Sequence, residues 1–459
     1  MNAAADVADR GDRKRPDAGR PPPIPHGSRP THPPDQADQT SSATGIPDLS
    51  GLRLRDFTAP GAWTALEPDW RRLHATLPHA NPFQSFDWFR LWVRSFAGHV
   101  SPWPLALEHA GRIVAIAPLV LWRARGRWRA RVLGLPVHPD TGPLRCDFLL
   151  ATDAGGTAPG RATGDPGRTR PADPAGGGTP PPAPPHDALL AALFEAIAER
   201  RCAWQELRLE GLSDISPTRG WLARHWHRLQ FTAWRDSPLM PARVMVAPPD
   251  FGAWLAGATP GLRKDVRYGR NCLTHHGPVE VRVARTAPEV ARAMPAVRAI
   301  LTRRYACARL EQLPAADRRV IGFFEDLVAD FAARDQIDLR VLLLAGAPAA
   351  CVLSLVQDAR VYPLLTKYDP RHRQAGPGRM VLLHLIEHAA AAGYTGIDFL
   401  SDWPYLRRFT DRTEHYWRVS AGHRGWRSRL PRLWQAWRAA RQRPVPDDPA
   451  APLAAGARA

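Results

Sequence analysis

The chain has 459 residues, 44% hydrophobic and 23% charged, with a formal charge of +18. That length exceeds one ordinary domain, and that apolar fraction excludes wholesale disorder. The longest apolar run, Ile113–Trp122, is far shorter than the roughly 20 residues of a membrane-spanning helix.

Residues 1–50 are rich in Pro, Asp, Gly, Ser and Thr and read as a disordered tail, because so few aliphatic groups cannot offset the entropy of ordering. No apolar signal-peptide core stands in the first 30 residues, so the expected location is the cytoplasm. In the first block, 51–150, apolar residues at helical spacing predict helices over 66–77 and 85–97, the second with Ser85 as N-cap. Phe86, Phe89, Trp92, Val93 and Phe96 mark its buried face. LALEHAGRIVAIAPLVLWRAR reads as a hairpin turning at Gly111. In WRARGRWRAR (122–131) arginines alternate, as on one face of a strand pair. Residues 151–186 end in GGGTPPPAPP and read as a disordered insertion. A helix at 187–200 and a strand at 204–212 follow.

The second block starts near 246. It predicts helices at 286–306 and 315–334, strands at 338–345, 349–357 and 361–368, a helix at 379–392 stopped by Gly393, and a strand at 395–400. LPRLWQAWRAAR (430–441) reads as an amphipathic helix against the folded body, before a tail to 459. The domains expected are thus 51–245, interrupted at 151–186, and 246–425, with a basic helix and tail at 426–459.

Of 62 basic residues, 59 are arginine, a bias that discounts each arginine as a marker of a site. A basic body draws polyanions, phosphorylated ligands or anionic membrane surfaces alike. Five scattered cysteines (Cys146, Cys202, Cys272, Cys307, Cys351) hold no CxxC pair and exclude a disulfide framework or zinc cluster. His384 and His388 share a helix face but lack the HExxH order, and no metal is expected.

The chemistry concentrates in 361–400. A strand leads into RHRQAGPG (371–378), which opens a helix. Gly376 and Gly378 let the backbone approach a ligand, and free N–H groups of the first turn with the helix dipole favour an anion. Arg371, Arg373 and Arg379 add guanidinium groups suited to phosphate oxygens. The ordinary reading is a tight turn before a helix.

Arg373-x-x-Gly376-x-Gly378 resembles the pyrophosphate loop of the GNAT superfamily of acyl-CoA-dependent N-acyltransferases. PFQSFDWFRLW (82–92), GLRKDVRYGRNCLTHHG (261–277), YDPRHRQAGPG (368–378) and IDFLSDWPYLRRFTD (397–411) together resemble the acetyltransferases associated with bacterial cellulose biosynthesis, which are FemAB-like tandems. The last run resembles a family stretch DFL-x-G-D-E-P-Y-K, with Trp403 in place of the acid, Leu406 in place of the lysine and one position missing. The resemblance implies a mixed-sheet α/β fold of two GNAT-like units. Backbone amides from Gln374 through Ala375, Gly376 and Gly378 to Arg379 would hold the pyrophosphate of acetyl-CoA. Asp398 and Tyr405 would be base and acid, with Asp402 and Tyr362 as further candidates. Direct transfer to a small amine or saccharide acceptor follows, in exopolysaccharide or envelope metabolism, with peripheral association to the inner membrane or a polysaccharide-synthesis complex and without nucleic acid. The contrasting reading is an inactive scaffold or a basic nucleic-acid or membrane-surface binder.

Overall fold

The computed structural model describes residues 51–423 apart from 79, 125–129, 138–144, 153–182, 308–309 and 311–312. The expected tails, most of the 151–186 insertion, the tip of the 122–131 arginine hairpin and the 430–441 helix lie outside those residues.

The first half runs β1 (Leu52–Asp56), α1 (Glu67–Thr76), α2 (Phe86–Ser95), β2 (Val100–Pro102), β3 (Leu105–His109), β4 (Arg112–Ala117), β5 (Val120–Arg123), β6 (Arg131–Gly134), β7 (Leu149–Leu150), α3 (His186–Glu199), β8 (Glu206–Ser213), α4 (Pro217–His225) and β9 (Phe231–Pro238). The second runs β10 (Ala242–Val246), α5 (Phe251–Gly257), α6 (Pro260–His275), β11 (Val279–Ala284), α7 (Ala287–Arg304), α8 (Ala315–Ala332), β12 (Ile337–Leu344), β13 (Ala347–Gln357), β14 (Arg360–Tyr368), α9 (Pro377–Glu387), β15 (Gly396–Asp398), β16 (Thr413–Glu414) and β17 (Tyr416–His423). The expected elements form where periodicity is strong. Ser85 caps α2 by accepting from Trp88 N at 3.2 Å. The β3–β4 hairpin turns on Ala110 and Gly111, both at positive φ (48° and 76°), as a two-residue primed turn requires. The 379–392 helix is shorter than expected: α9 ends at Glu387 and separate turns carry the chain to Gly393.

Three sheets result, ordered β1-β3-β4-β7, β2-β5-β6-β8-β17-β9 and β11-β12-β13-β14-β15-β10-β16. A unit recurs in the last two. β6 and β8 are parallel and joined through α3; β14 and β15 are parallel and joined through α9. Each second strand then pairs antiparallel with a partner from elsewhere, β8 with β17 and β15 with β10. This is the mixed-sheet tandem expected from the sequence. Its strands do not follow the expected boundaries, however. β10 starts at Ala242, ahead of the expected start at 246, and β17 returns to the first half's sheet between β8 and β9.

The halves share one core. The aromatic face of α2 docks on α8, with Trp88 edge-on to Phe323 at 5.2 Å, and Phe83 meets Tyr362 of β14 at 5.7 Å. Around it, Arg90 reaches Asp330 (2.7 Å) and Arg334 binds both Asp330 and buried Asp87 at 2.7 Å. Beneath α9 lies a polar network that half-exposed Arg285 also joins, reaching Asp338 at 3.1 Å. Asp338 and Arg340, both without exposure, are joined at 2.7 Å; Tyr394 donates to Asp338 (2.7 Å), and Arg340 donates to His384 Nδ1 and O at 3.0 Å. Burial, with His388 and Arg340 beside it, pushes His384 down to about 4, so it stays a neutral acceptor. This network pins the helix that carries the glycine loop. Removing one partner of a buried pair strands the other charge. Arg340→Met should therefore cost about 3 kcal/mol in urea unfolding, and Arg340→Met with Asp338→Leu distinctly less.

Candidate functional site

The central feature is a gap in the seven-stranded sheet. β14 and β15 pair only at Arg360↔Gly396 and Val361↔Ile397. Beyond that, β15 stays with β10 while β14 continues for seven residues beside β13 alone. Among the described residues no backbone bond closes the gap. A register shift between Leu353 and Ser354 leaves Leu364 as an extra residue next to Pro363, which a strand tolerates at a bulge. One edge of β14 is thus unpaired in the middle of a sheet.

At the end of that edge stands the glycine segment. Pro370–Ala375 form a 3-10 helix, not an open loop. Gly376 takes the left-handed conformation (φ 60°, ψ 47°) as the N-cap of α9, so its role is conformational. Gly378 is glycine for packing: a Cβ there would lie 3.2 Å from Tyr368 Cδ1. The donor set is narrower than the sequence reading. Gly376 N already donates to Arg373 O (3.1 Å) and Arg379 N to Gly376 O (3.0 Å); Gly378 N, in the same first turn, has no backbone partner among the described residues. Arg371 folds back on buried Asp369 (2.6 Å). Arg373 and Gln374 are exposed; Ala375 is buried. Arg379 reaches Asp265 of α6 at 3.2 Å, where Arg408 also makes contact, and its buried Nε has no partner. Basic α6 lies close because Gly269 faces Met380 Sδ and Ala375 O, which a Cβ would meet at 2.9 and 3.3 Å.

The candidate acid–base groups fall on two faces of the sheet. Tyr405 packs with Tyr368 against the core under α9. Burial, then Tyr368, pushes its phenol up to about 12. Asp398 lies where β14 and β15 part, on the face turned to the first half. It is fully buried; its Oδ1 accepts from Leu400 N (3.0 Å), and Leu400 sits at φ 56°, a strained conformation for leucine. Burial pushes Asp398 up to about 6, against the opposing pull of Arg145. Tyr362 stands across the gap, raised to about 12 by burial. Asp402 joins neither group: Arg243 (2.5 Å) and Arg407 (2.9 Å) hold its carboxylate, outweigh its burial and keep it below the usual range.

Sequence reasoning missed three groups around Asp398. Arg145, ahead of β7, places Nη2 at 2.5 Å from Asp398 and 2.6 Å from Glu414. Tyr416 of β17 donates to Glu414 at 2.8 Å.

Residues 261–405, which contain the gap, α6 and the glycine segment, match the family model described as Acetyltransferase (GNAT) domain. The second half carries a GNAT acyltransferase domain. FemX is similar in fold across both halves: 11% identity, TM-score 0.50, covering 80% of this chain and 98% of that one. Also similar are a conserved protein of unknown function from Bacteroides thetaiotaomicron VPI-5482 (9% identity, TM-score 0.45, covering 77% and 97%) and a tandem GNAT protein from the clavulanic acid biosynthesis pathway (12%, 0.42, covering 81% and 98%). No curated protein matches the sequence. In this GNAT domain the left-handed Gly376 is open to test. Gly376→Ala should cost about 1 kcal/mol and Gly376→Asn less, since asparagine tolerates that conformation; equal thermal midpoints would show that the turn relaxes.

Proposed function

We propose that the chain transfers an acyl group, with acetyl-CoA as donor substrate, to an amine. The observation that carries this is the unpaired β14 edge running from Asp398 to the Gly378 amide. Buried backbone donors and acceptors need partners, and an extended chain with its own amides and a diphosphate end supplies them along one line. Gly378 N–H, Arg379 and Arg373 would hold the diphosphate, and the amide-bearing arm would pair with β14. The proposed donor site belongs to the second half: among the described residues α3, the counterpart of α9, starts after Pro185 without a left-handed glycine.

Asp398 and Tyr405 then have separate tasks. The attacking nitrogen must shed a proton and the departing sulfur must gain one as the C–N bond forms and the C–S bond breaks. Asp398, on the face turned to the first half, takes the first; Tyr405, on the α9 face, gives the second; exchange with solvent resets both. The acceptor comes from the first-half side. Amines and amino sugars of cytoplasmic envelope or exopolysaccharide metabolism, at the inner-membrane surface or beside a polysaccharide-synthesis complex, are the acceptor class that the sequence resemblance favours.

Calorimetry with acetyl-CoA and coenzyme A should give a dissociation constant below about 1 mM; no heat with either would remove the reading, and a basic scaffold would then remain. In a thiol-release assay over a panel of amines and amino sugars, Asp398→Asn should lower kcat by roughly 100-fold or more with donor affinity unchanged. A base works deprotonated, so kcat/KM should rise with pH through about 6.

A further inference from the structure

Among the described residues Arg145 brings the first half to the carboxylate assigned as base, and the contact is an unusual one. Its side chain is 12% exposed, and it spans from the segment before β7 to β15 and β16. A single nitrogen, Nη2, lies 2.5 Å from Asp398 Oδ2 and 2.6 Å from Glu414 Oε2. Neither approach has the direction of a hydrogen bond, and the buried Nε has no partner at all. The structural pair Asp338–Arg340 differs, with two directed bonds at 2.7 and 3.1 Å. One charge thus serves two carboxylates without being locked to either. The other groups facing Asp398 are Arg360 and Tyr362 from β14, Tyr416 from β17, whose ring lies 5.0 Å under the Arg145 guanidinium, and the Leu400 N–H.

We propose that Arg145 is a positioning residue that holds buried Asp398 as a carboxylate, while Glu414 offers it a second seat that an acceptor ammonium can push it onto. The proposal rests on Asp398 being the base. It selects the acceptor class: a cation displaces a cation from beside a carboxylate, and a neutral hydroxyl does not. Once Arg145 moves to Glu414, Asp398 is left beside the ammonium whose proton it must take.

The test uses the full chain without an acceptor. Thermal unfolding of the wild type, Arg145→Met, Asp398→Asn and the double variant is followed from about pH 5 to about pH 8. A carboxyl whose native pKa lies above its unfolded value loses stability as pH rises toward that native pKa; raising it further extends the loss to higher pH. Arg145→Met should therefore shift the titration of Asp398 upward by about one unit or more, with a cost that grows with pH and vanishes in the Asp398→Asn background. A merely structural arginine would cost the same at every pH and in both backgrounds, and that result overturns the proposal. Glu414→Gln, which leaves Arg145 to Asp398 alone, should move the titration the opposite way, and it carries the test should Arg145→Met fail to fold; no movement overturns the proposal. Asp398→Asn with undiminished thiol release would instead overturn the base assignment, and Arg145's role with it. An inactive Asp398→Asn beside a pH-independent Arg145→Met would remove the Arg145 proposal alone.

Discussion

A central strand that loses its neighbour after two residue pairs leaves backbone groups with nothing to bind. In this chain the divergence of β14 from β15 creates that situation, and the rest of the structure is arranged around it. The bulge at Leu364 and the proline before it weaken the other edge of β14 at the same level. α9 starts where the open edge ends, with its polar underside fixed by Asp338, Arg340 and Tyr394. The strained Leu400 turns the chain away from the gap just after Asp398. Strain of this kind persists only where surrounding contacts over-determine it, and buried Phe399 and Leu400 lie in two different cores.

The second constraint is the shared core. α2 and α8 interlock through aromatic rings, and the ion network over Asp87 and Asp330 ties their flanks. β17 crosses back to complete the first half's sheet, and it brings Tyr416 to the divergence, next to Glu414 of β16, where Arg145 also arrives. In the proposed function the acceptor comes from the first-half side.

Much of the fold was legible because its strongest signals are local. Ser85 and the apolar face after it specify α2, and short apolar runs specify β12 to β14. Tyr362 and Asp398 were legible as residues flanking a motif. Arg145 was not, because 253 positions separate it from Asp398 and no periodicity encodes that meeting. The partner of Asp402 was not legible for the same reason: Arg243 lies 159 positions earlier. The glycines were found but for an incomplete reason, since Gly376 answers to a left-handed turn and Gly378 to Tyr368. Pro363 was an available signal for the bulge. β17 and β9 were missed as strands.

Amide hydrogen exchange with and without coenzyme A tests the central claim most directly. The account predicts slowed exchange confined to the open edge at 362–368, the Gly378 amide and the turn after Asp398. Slowing elsewhere on the basic surface, with those amides unchanged, would contradict it.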